Sequence, residues 1–399
     1  MMSSKPKLMF LIVLSLQLSS ILSQQNAHKI NGISMTLQKM KIKSRKDISV
    51  EEPLYYPTDF IEYYIKILVG TPAQDLLLLM DTGSSVVWAP CTTNYTCYKN
   101  CPGFSTVFLP NKSSSAMRVK CADPKCKDLF GSSHNCLGIC PDYVLHYVSG
   151  NTKGRLLTET LTLPLEGGGI QGIKNFRIGC SLVSSGFAGI AGFGRGGLSM
   201  PSQLSPLRGD IFAYCLDDLN NSSMIALGDM AVRKHIPLSY TPFLNNSGAY
   251  SAAYSEFYYI GLEGLTIGGK QLRESSDFWT FDGEGNGGTI IDSGTSYSSF
   301  PETIYKQIVA EFASQIEYRR VYAEGYELCY NVSGVNVTNI ELPRFVFELK
   351  GGSDMILPGE NSFIAASTDN FLAGTSDTIC LAIMNAGTSN IKIEIHNGK

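Results

Sequence analysis

The sequence predicts an all-β protein built as two lobes, and three observations point there. The pattern aspartate–hydroxyl–glycine–hydroxyl occurs twice. It appears as Asp81-Thr82-Gly83-Ser84 after the apolar run Leu76–Met80, and as Asp292-Ser293-Gly294-Thr295 after Thr289-Ile290-Ile291. The copies lie 211 residues apart, so each half of the chain supplies one aspartate. The length, 399 residues, suits two domains. Charged residues make up only 17% of the chain against 44% apolar ones, and Gly, Ser, Thr and Tyr are plentiful. That balance favours strands over helices and a secreted protein over a basic nucleic-acid binder.

Each motif has a physical logic. The glycine permits a tight turn at a strand end, and the hydroxyls can hold a carboxylate by hydrogen bonding. Two carboxylates brought to one centre cannot both ionise easily, so one keeps its proton. One then serves as base and the other as acid, with a water between them as nucleophile.

The chain opens with Lys5 and Lys7, the apolar run Leu8–Leu16 broken only by Ser15, and then the small residues Ser20 and Ser23. This reads as a signal peptide over 1–23, too short for a membrane anchor. No later stretch approaches 18 uninterrupted apolar residues, so no membrane association is expected once the signal is removed. Residues 24–55 read as a short basic propeptide or linker. The first 50 residues hold eight of the 32 Lys and Arg and one of the 35 acids, which leaves the remainder at −10 (24 basic against 34 acidic). A basic leader on an acidic body suits a propeptide over an acidic cleft, and a solvated tail equally well.

The N-terminal lobe is expected over 56–235. Glu62–Val69 alternates as a strand, Gly70-Thr71-Pro72 turns, and Asp75–Met80 runs as a strand to Asp81. Residues 91–140 hold seven of the eleven cysteines with no C-x-x-C pair, so they read as a disulfide-stapled insertion outside the core. Tyr143–Val148 and Gly154–Leu163 form a hairpin around 149–151. Phe176–Cys180, Ala213–Leu216 and Met224–Leu227 are strands, and Ser199 opens a short helix. Gly192, Gly194 and Gly197 satisfy G-x-G-x-x-G, but Pro201 and the β context exclude a dinucleotide site. After a linker at 229–237 the C-terminal lobe occupies 236–399. Tyr258–Ile267 is a strand pair, Thr289–Asp292 repeats the first aspartate strand, and Pro301–Gln315 is a helix with Ile304, Ile308 and Phe312 on one face. Phe345–Leu349 and Met355–Leu357 are strands. Seven N-x-S/T triplets, at Asn94, Asn111, Asn220, Asn221, Asn245, Asn331 and Asn336, agree with the secretory pathway.

From about Tyr64 to Ala382 the chain resembles the pepsin-like aspartic proteases, and most of all their plant nepenthesin-type branch. The resemblance rests on Gly70-Thr71-Pro72-Ala73-Gln74, DTGSSVVW at 81–88, the cysteine cluster, GFGRG at 192–196, FAYCL at 212–216, YYIGL at 258–262 and GNGGTIIDSGT at 285–295. It implies a bilobal pepsin-like fold with a disulfide-rich insertion, and Asp81 and Asp292 as the catalytic pair. Thr82 and Ser293 correspond to hydroxyls that tie the two loops together, and Ser84 and Thr295 to those that bond the outer carboxylate oxygens. Gly83 and Gly294 complete the loops. Tyr147 corresponds to the tyrosine of a flap that closes over substrate, and Trp88 to its orienting tryptophan. Val148 departs from the family's flap glycine. The resemblance also pairs Cys329 with Cys380. It implies an aspartic endopeptidase acting in acid without metal or cofactor on an extended peptide. A monomer is expected, located outside the cell, in the cell wall or in the vacuole. The alternatives are a non-catalytic binding or inhibitor protein on the same fold, and an inactive truncated product.

The C-terminus departs from this pattern. Gly189-Ile190-Ala191-Gly192 matches a family element that supports the Asp81 loop. Its counterpart after Cys380 is absent, and Ala386–Lys399 offers only the alternating Ile391, Ile393 and Ile395. The expectation is an incomplete C-terminal lobe that lacks its final strands, a poorly supported Asp292 loop, and an odd cysteine at Cys180 or Cys215.

Overall fold

The computed structural model describes residues 14–15, 33–43 and 59–395, apart from 99–105, 131–135, 149, 165–169, 210, 217–222, 233–236, 247–253, 274–278, 337–338, 367–376 and 388–392. Apart from 14–15, the expected signal peptide lies outside the described residues, as do Asn220 and Asn221. The chain forms two compact units, Met1–Ile42 with Ile61–Leu238 and Lys43–Phe60 with Ser239–Lys399.

The first unit is organised around the strand Gln74–Asp81. It runs antiparallel to Asp59–Val69, in register from Tyr64↔Leu79 to Val69↔Gln74. Leu76, Leu78, Leu79 and Met80 are all buried. The sequence is therefore apolar almost throughout instead of alternating, as a strand covered on both faces must be. On its other side lies the short strand Ile190–Gly192, parallel to Leu79–Asp81. Trp88 pairs with Ile190 and with Gly179.

A long ladder joins Gly150–Pro164 to Ile170–Ser185, and Tyr143–Tyr147 pairs back on Gly150–Gly154. The hairpin turns after Tyr147, which lies opposite Gly150, and Val148 is in the turn. The turn expected at 149–151 thus comes earlier, and Gly150 and Asn151 belong to the ladder.

The cysteine-rich insertion is closed by Cys121–Cys136 and Cys126–Cys140, and Cys91–Cys180 pins its start to the long ladder. Cys97 is also disulfide-bonded. The insertion reaches further inward than expected. Val119, Cys126 and Cys140 pack in one buried cluster with Tyr64, Leu79 and Trp88. Cys180 is disulfide-bonded, and among the described residues Cys215, half-buried on the strand Ile211–Cys215, is the cysteine outside the disulfides.

The basic leader also contributes a structural element. Ile33–Lys43 is a strand whose start pairs antiparallel with Met224–Leu227, and Met35 and Leu37 are buried.

In the second unit Thr289–Ile291 is wholly buried. Tyr259–Ile260 pairs with it antiparallel on one side and Ile393–Ile395 parallel on the other. This corrects the expectation of an Asp292 segment without strand support, because the backbone at 393–395 takes the place that Ile190–Gly192 takes in the first unit. Among the described residues this pairing reaches Ile291↔Ile395, and in the first unit it runs through Asp81↔Gly192.

The helix Glu302–Gln315 buries Ile304, Ile308 and Phe312, the expected four-residue spacing. Phe312 meets Phe345 and Phe363 edge-on. Cys329 and Cys380 face each other across paired strands and are bonded.

Candidate active site

Both aspartates sit at the ends of buried strands and are themselves almost enclosed, Asp81 at 6% and Asp292 at 8% exposure. Their surroundings repeat atom for atom. The Gly83 amide donates to Asp81 Oδ1 at 2.8 Å, and the Ser84 hydroxyl donates to Oδ2. The Gly294 amide donates to Asp292 Oδ1 at 2.8 Å, and the Thr295 hydroxyl donates to Oδ2 at 2.7 Å. A carboxylate that accepts on both oxygens is fixed in rotation. Thr82 and Ser293, between each aspartate and its glycine, are buried.

The Asp81 loop is held from the neighbouring strand. The Phe193 amide donates to the Asp81 carbonyl at 2.6 Å, and the Gly194 amide to the Ser84 carbonyl at 2.8 Å. The Gly196 amide donates to Ser85 Oγ at 2.9 Å. Ser85 escaped the sequence reading. Its only signal was a second serine after the motif, opposite the glycine series Gly192, Gly194, Gly196. In the second unit the Ile291 amide donates to the Tyr258 carbonyl at 3.1 Å.

Trp88 and Tyr147 meet as expected. The Trp88 indole Nε1 donates to the Tyr147 hydroxyl at 2.8 Å, with ring centroids 6.5 Å apart. Trp88 is fully buried while Tyr147 is partly exposed. Phe187, absent from the expected site, closes the other side of Tyr147 edge-on at 5.3 Å. Its carbonyl accepts from Ser184 Oγ at 2.7 Å, so its backbone is anchored. At the hairpin's base, Tyr143 is buried and its hydroxyl stays protonated well above the usual phenol range because burial opposes its charge.

Beside this wall, Tyr64 donates to Glu62 Oε2 at 2.5 Å. Burial raises the Glu62 carboxyl above the ordinary glutamate value, although the Tyr64 bond pulls the other way. Among the described residues, no three His, Cys, Asp or Glu side chains gather as a metal-holding group, and no helix is long and apolar enough to cross a membrane.

Two β-rich units, each presenting an aspartate in the same cradle, are the hallmarks of one enzyme class, and comparison with known proteins agrees. The family models described as xylanase inhibitor N-terminal and xylanase inhibitor C-terminal match residues 63–229 and 257–396. The chain is 34% identical over 361 residues to aspartic proteinase nepenthesin-1 of Nepenthes gracilis, covering 88% of this chain and 76% of that protein. It is 29% identical over 352 residues to nepenthesin-2 of the same plant, covering 86% and 74%. Among solved structures, EDGP shares the fold with a TM-score of 0.67 at 19% identity, over 92% of this chain and 90% of that one. Soybean basic 7S globulin gives 0.63 at 16% identity, over 91% and 89%. The chain belongs to the pepsin-like aspartic protease family. Within that family it falls in the plant nepenthesin-type branch.

Proposed function

We propose that this chain is an aspartic endopeptidase that hydrolyses peptide bonds in acid, with Asp81 and Asp292 as its catalytic pair. The observation that carries the reading is the identity of the two cradles, in which a glycine amide and a hydroxyl engage the same oxygens of each aspartate. Of the pair, one carboxylate takes a proton from a water as that water attacks the peptide carbonyl. The other, protonated, gives its proton to the carbonyl oxygen; the resulting gem-diol then collapses, a carboxyl of the pair passing a proton to the nitrogen as the C–N bond breaks, and no acyl-enzyme forms. The two protons belong to the pair, and acid is needed so that one is present. Tyr147, steadied by Trp88, closes over an extended peptide and excludes water. The apolar N-terminus and the N-x-S/T triplets support passage through the secretory pathway, with glycosylation at exposed positions such as Asn94, Asn111, Asn245 and Asn336.

The test is the pH profile of kcat/KM on a peptide substrate. A bell with both limbs in the acid range, abolished by Asp81→Asn or Asp292→Asn, supports the reading, and activity that survives either change refutes it.

A second reading, a non-catalytic binding protein, is favoured by one observation: both matching family models carry the description of xylanase inhibitors. Against it stand the two intact motifs. Tight xylanase binding by a chain that cleaves no peptide would decide for it.

A further inference from the structure

Tyr143 is buried at the base of the hairpin, yet among the described residues nothing meets its hydroxyl in hydrogen-bond geometry. The Thr152 hydroxyl is bonded instead to Ser181 Oγ and the Val183 carbonyl. A buried hydroxyl without a partner costs stability, and phenylalanine would avoid that cost. Tyrosine at this position points to a use other than stability.

The space around the hydroxyl says which use. Tyr143 lies opposite Gly154 on the neighbouring strand, and Gly179, one strand further, lies beside Trp88. A Cβ at Gly154 would fall 2.6 Å from the Tyr143 hydroxyl oxygen. A Cβ at Gly179 would fall 2.5 Å from the same oxygen and 2.7 Å from Trp88 Cβ. These separations are far inside van der Waals contact, so the two glycines open a slot that the Tyr143 hydroxyl fills. Through it Tyr143 reaches across two strands and ends against the root of the Trp88 side chain. The far end of that side chain donates to the Tyr147 hydroxyl at 2.8 Å. Val144 and His146 are exposed, whereas Leu145 and Tyr147 pack against the cluster that contains Trp88. The hairpin strand thus meets Trp88 twice, at its base through Tyr143 and near its tip through Tyr147.

We propose that Tyr143 is a positioning residue: its hydroxyl, seated in the slot between Gly154 and Gly179, fixes the hairpin base against Trp88 and keeps the Trp88–Tyr147 hydrogen bond in register. Tyr143 acts through Trp88 and Tyr147 and touches no substrate. Its effect on cleavage rests on the peptidase reading above, while its effect on Trp88 does not.

The experiment compares the native chain with Tyr143→Phe, Trp88→Phe and the double variant. It reads kcat and KM on one peptide in acid, the urea midpoint, and solvent exchange of the indole N–H protons by NMR. The chain holds two tryptophans, Trp88 and Trp279, so the resonance lost in Trp88→Phe assigns both. Tyr143→Phe is expected to keep or raise the urea midpoint, because it removes an unpartnered buried hydroxyl. It should lower kcat about 5-fold with KM held within about twofold, since Tyr147 is misplaced in the transition state. The Trp88 indole proton should exchange about 5-fold faster or more, and that of Trp279 at its native rate. In the Trp88→Phe chain the same change should cost no further activity, because the bond it positions is already gone. An unchanged Trp88 exchange rate overturns the proposal whatever the kinetics. So does an unchanged kcat in an active chain, or full additivity in the double variant, the mark of simple packing. A native chain that cleaves no peptide overturns the peptidase reading, and the Trp88 exchange rate then decides for or against Tyr143 by itself.

Discussion

Gly192 is the strand partner of Asp81, and the space beside it is closed to any side chain. A Cβ at Gly192 would lie 2.4 Å from the Ser85 carbonyl carbon and 2.8 Å from the Val86 amide nitrogen, both backbone atoms. The glycine lets the supporting strand come close enough for the Phe193 and Gly194 amides to reach the aspartate loop.

Gly192→Ala should therefore push the two segments apart. The expected cost is about 1–3 kcal/mol, read as a lower urea midpoint, with loss of peptidase activity from the fraction that remains folded. Unchanged stability would mean that the loop is held by other contacts.

Trp88→Phe keeps the buried ring and removes the indole donor to Tyr147. About 5- to 10-fold should be lost from kcat/KM, the worth of one hydrogen bond. Trp88→Ala should instead unfold the cluster it shares with Tyr64, Leu79 and Val119. Thermal melting separates the two effects.

Glu62 gives a pH prediction with a definite sign. Burial places its folded pKa above the unfolded one, so the folded state holds this proton more tightly. Its contribution is complete below the unfolded value and is lost as pH rises through the folded value. Glu62→Gln removes the titration at nearly constant shape. The variant should match the parent in about pH 3 buffer and exceed it in stability at neutral pH, by urea unfolding. A larger gain in acid would reverse the assignment.

The aspartate cradles could be read from sequence because a glycine amide and a hydroxyl within three residues of each aspartate bond its carboxylate, so the motif carries its own geometry. The helix Glu302–Gln315 could be read because Ile304, Ile308 and Phe312 recur at one period. Ile33–Lys43 could not, since its basic residues suggested a loose leader and its partner, Met224–Leu227, lies far along the chain. In the insertion, the cysteines read only as staples, and Val119, flanked by Arg118 and Lys120, gave too little pattern to announce a core position. Ser-Gly-Asn at 149–151 resembled a turn so closely that the valine actually occupying it was assigned to the strand. The support for Asp292 was obscured because Ile393–Ile395 pairs without the glycine that marks its counterpart.

The central claim is that Asp81 and Asp292 act as one pair. It is tested most directly by hydrolysis of an unfolded protein substrate at about pH 3–5 by the purified, folded chain, with and without pepstatin, beside Asp81→Asn. The account predicts pepstatin-sensitive cleavage that falls by about 10³-fold or more in the variant. A folded, monodisperse chain that cleaves nothing, or a variant that cleaves as well as its parent, would contradict it.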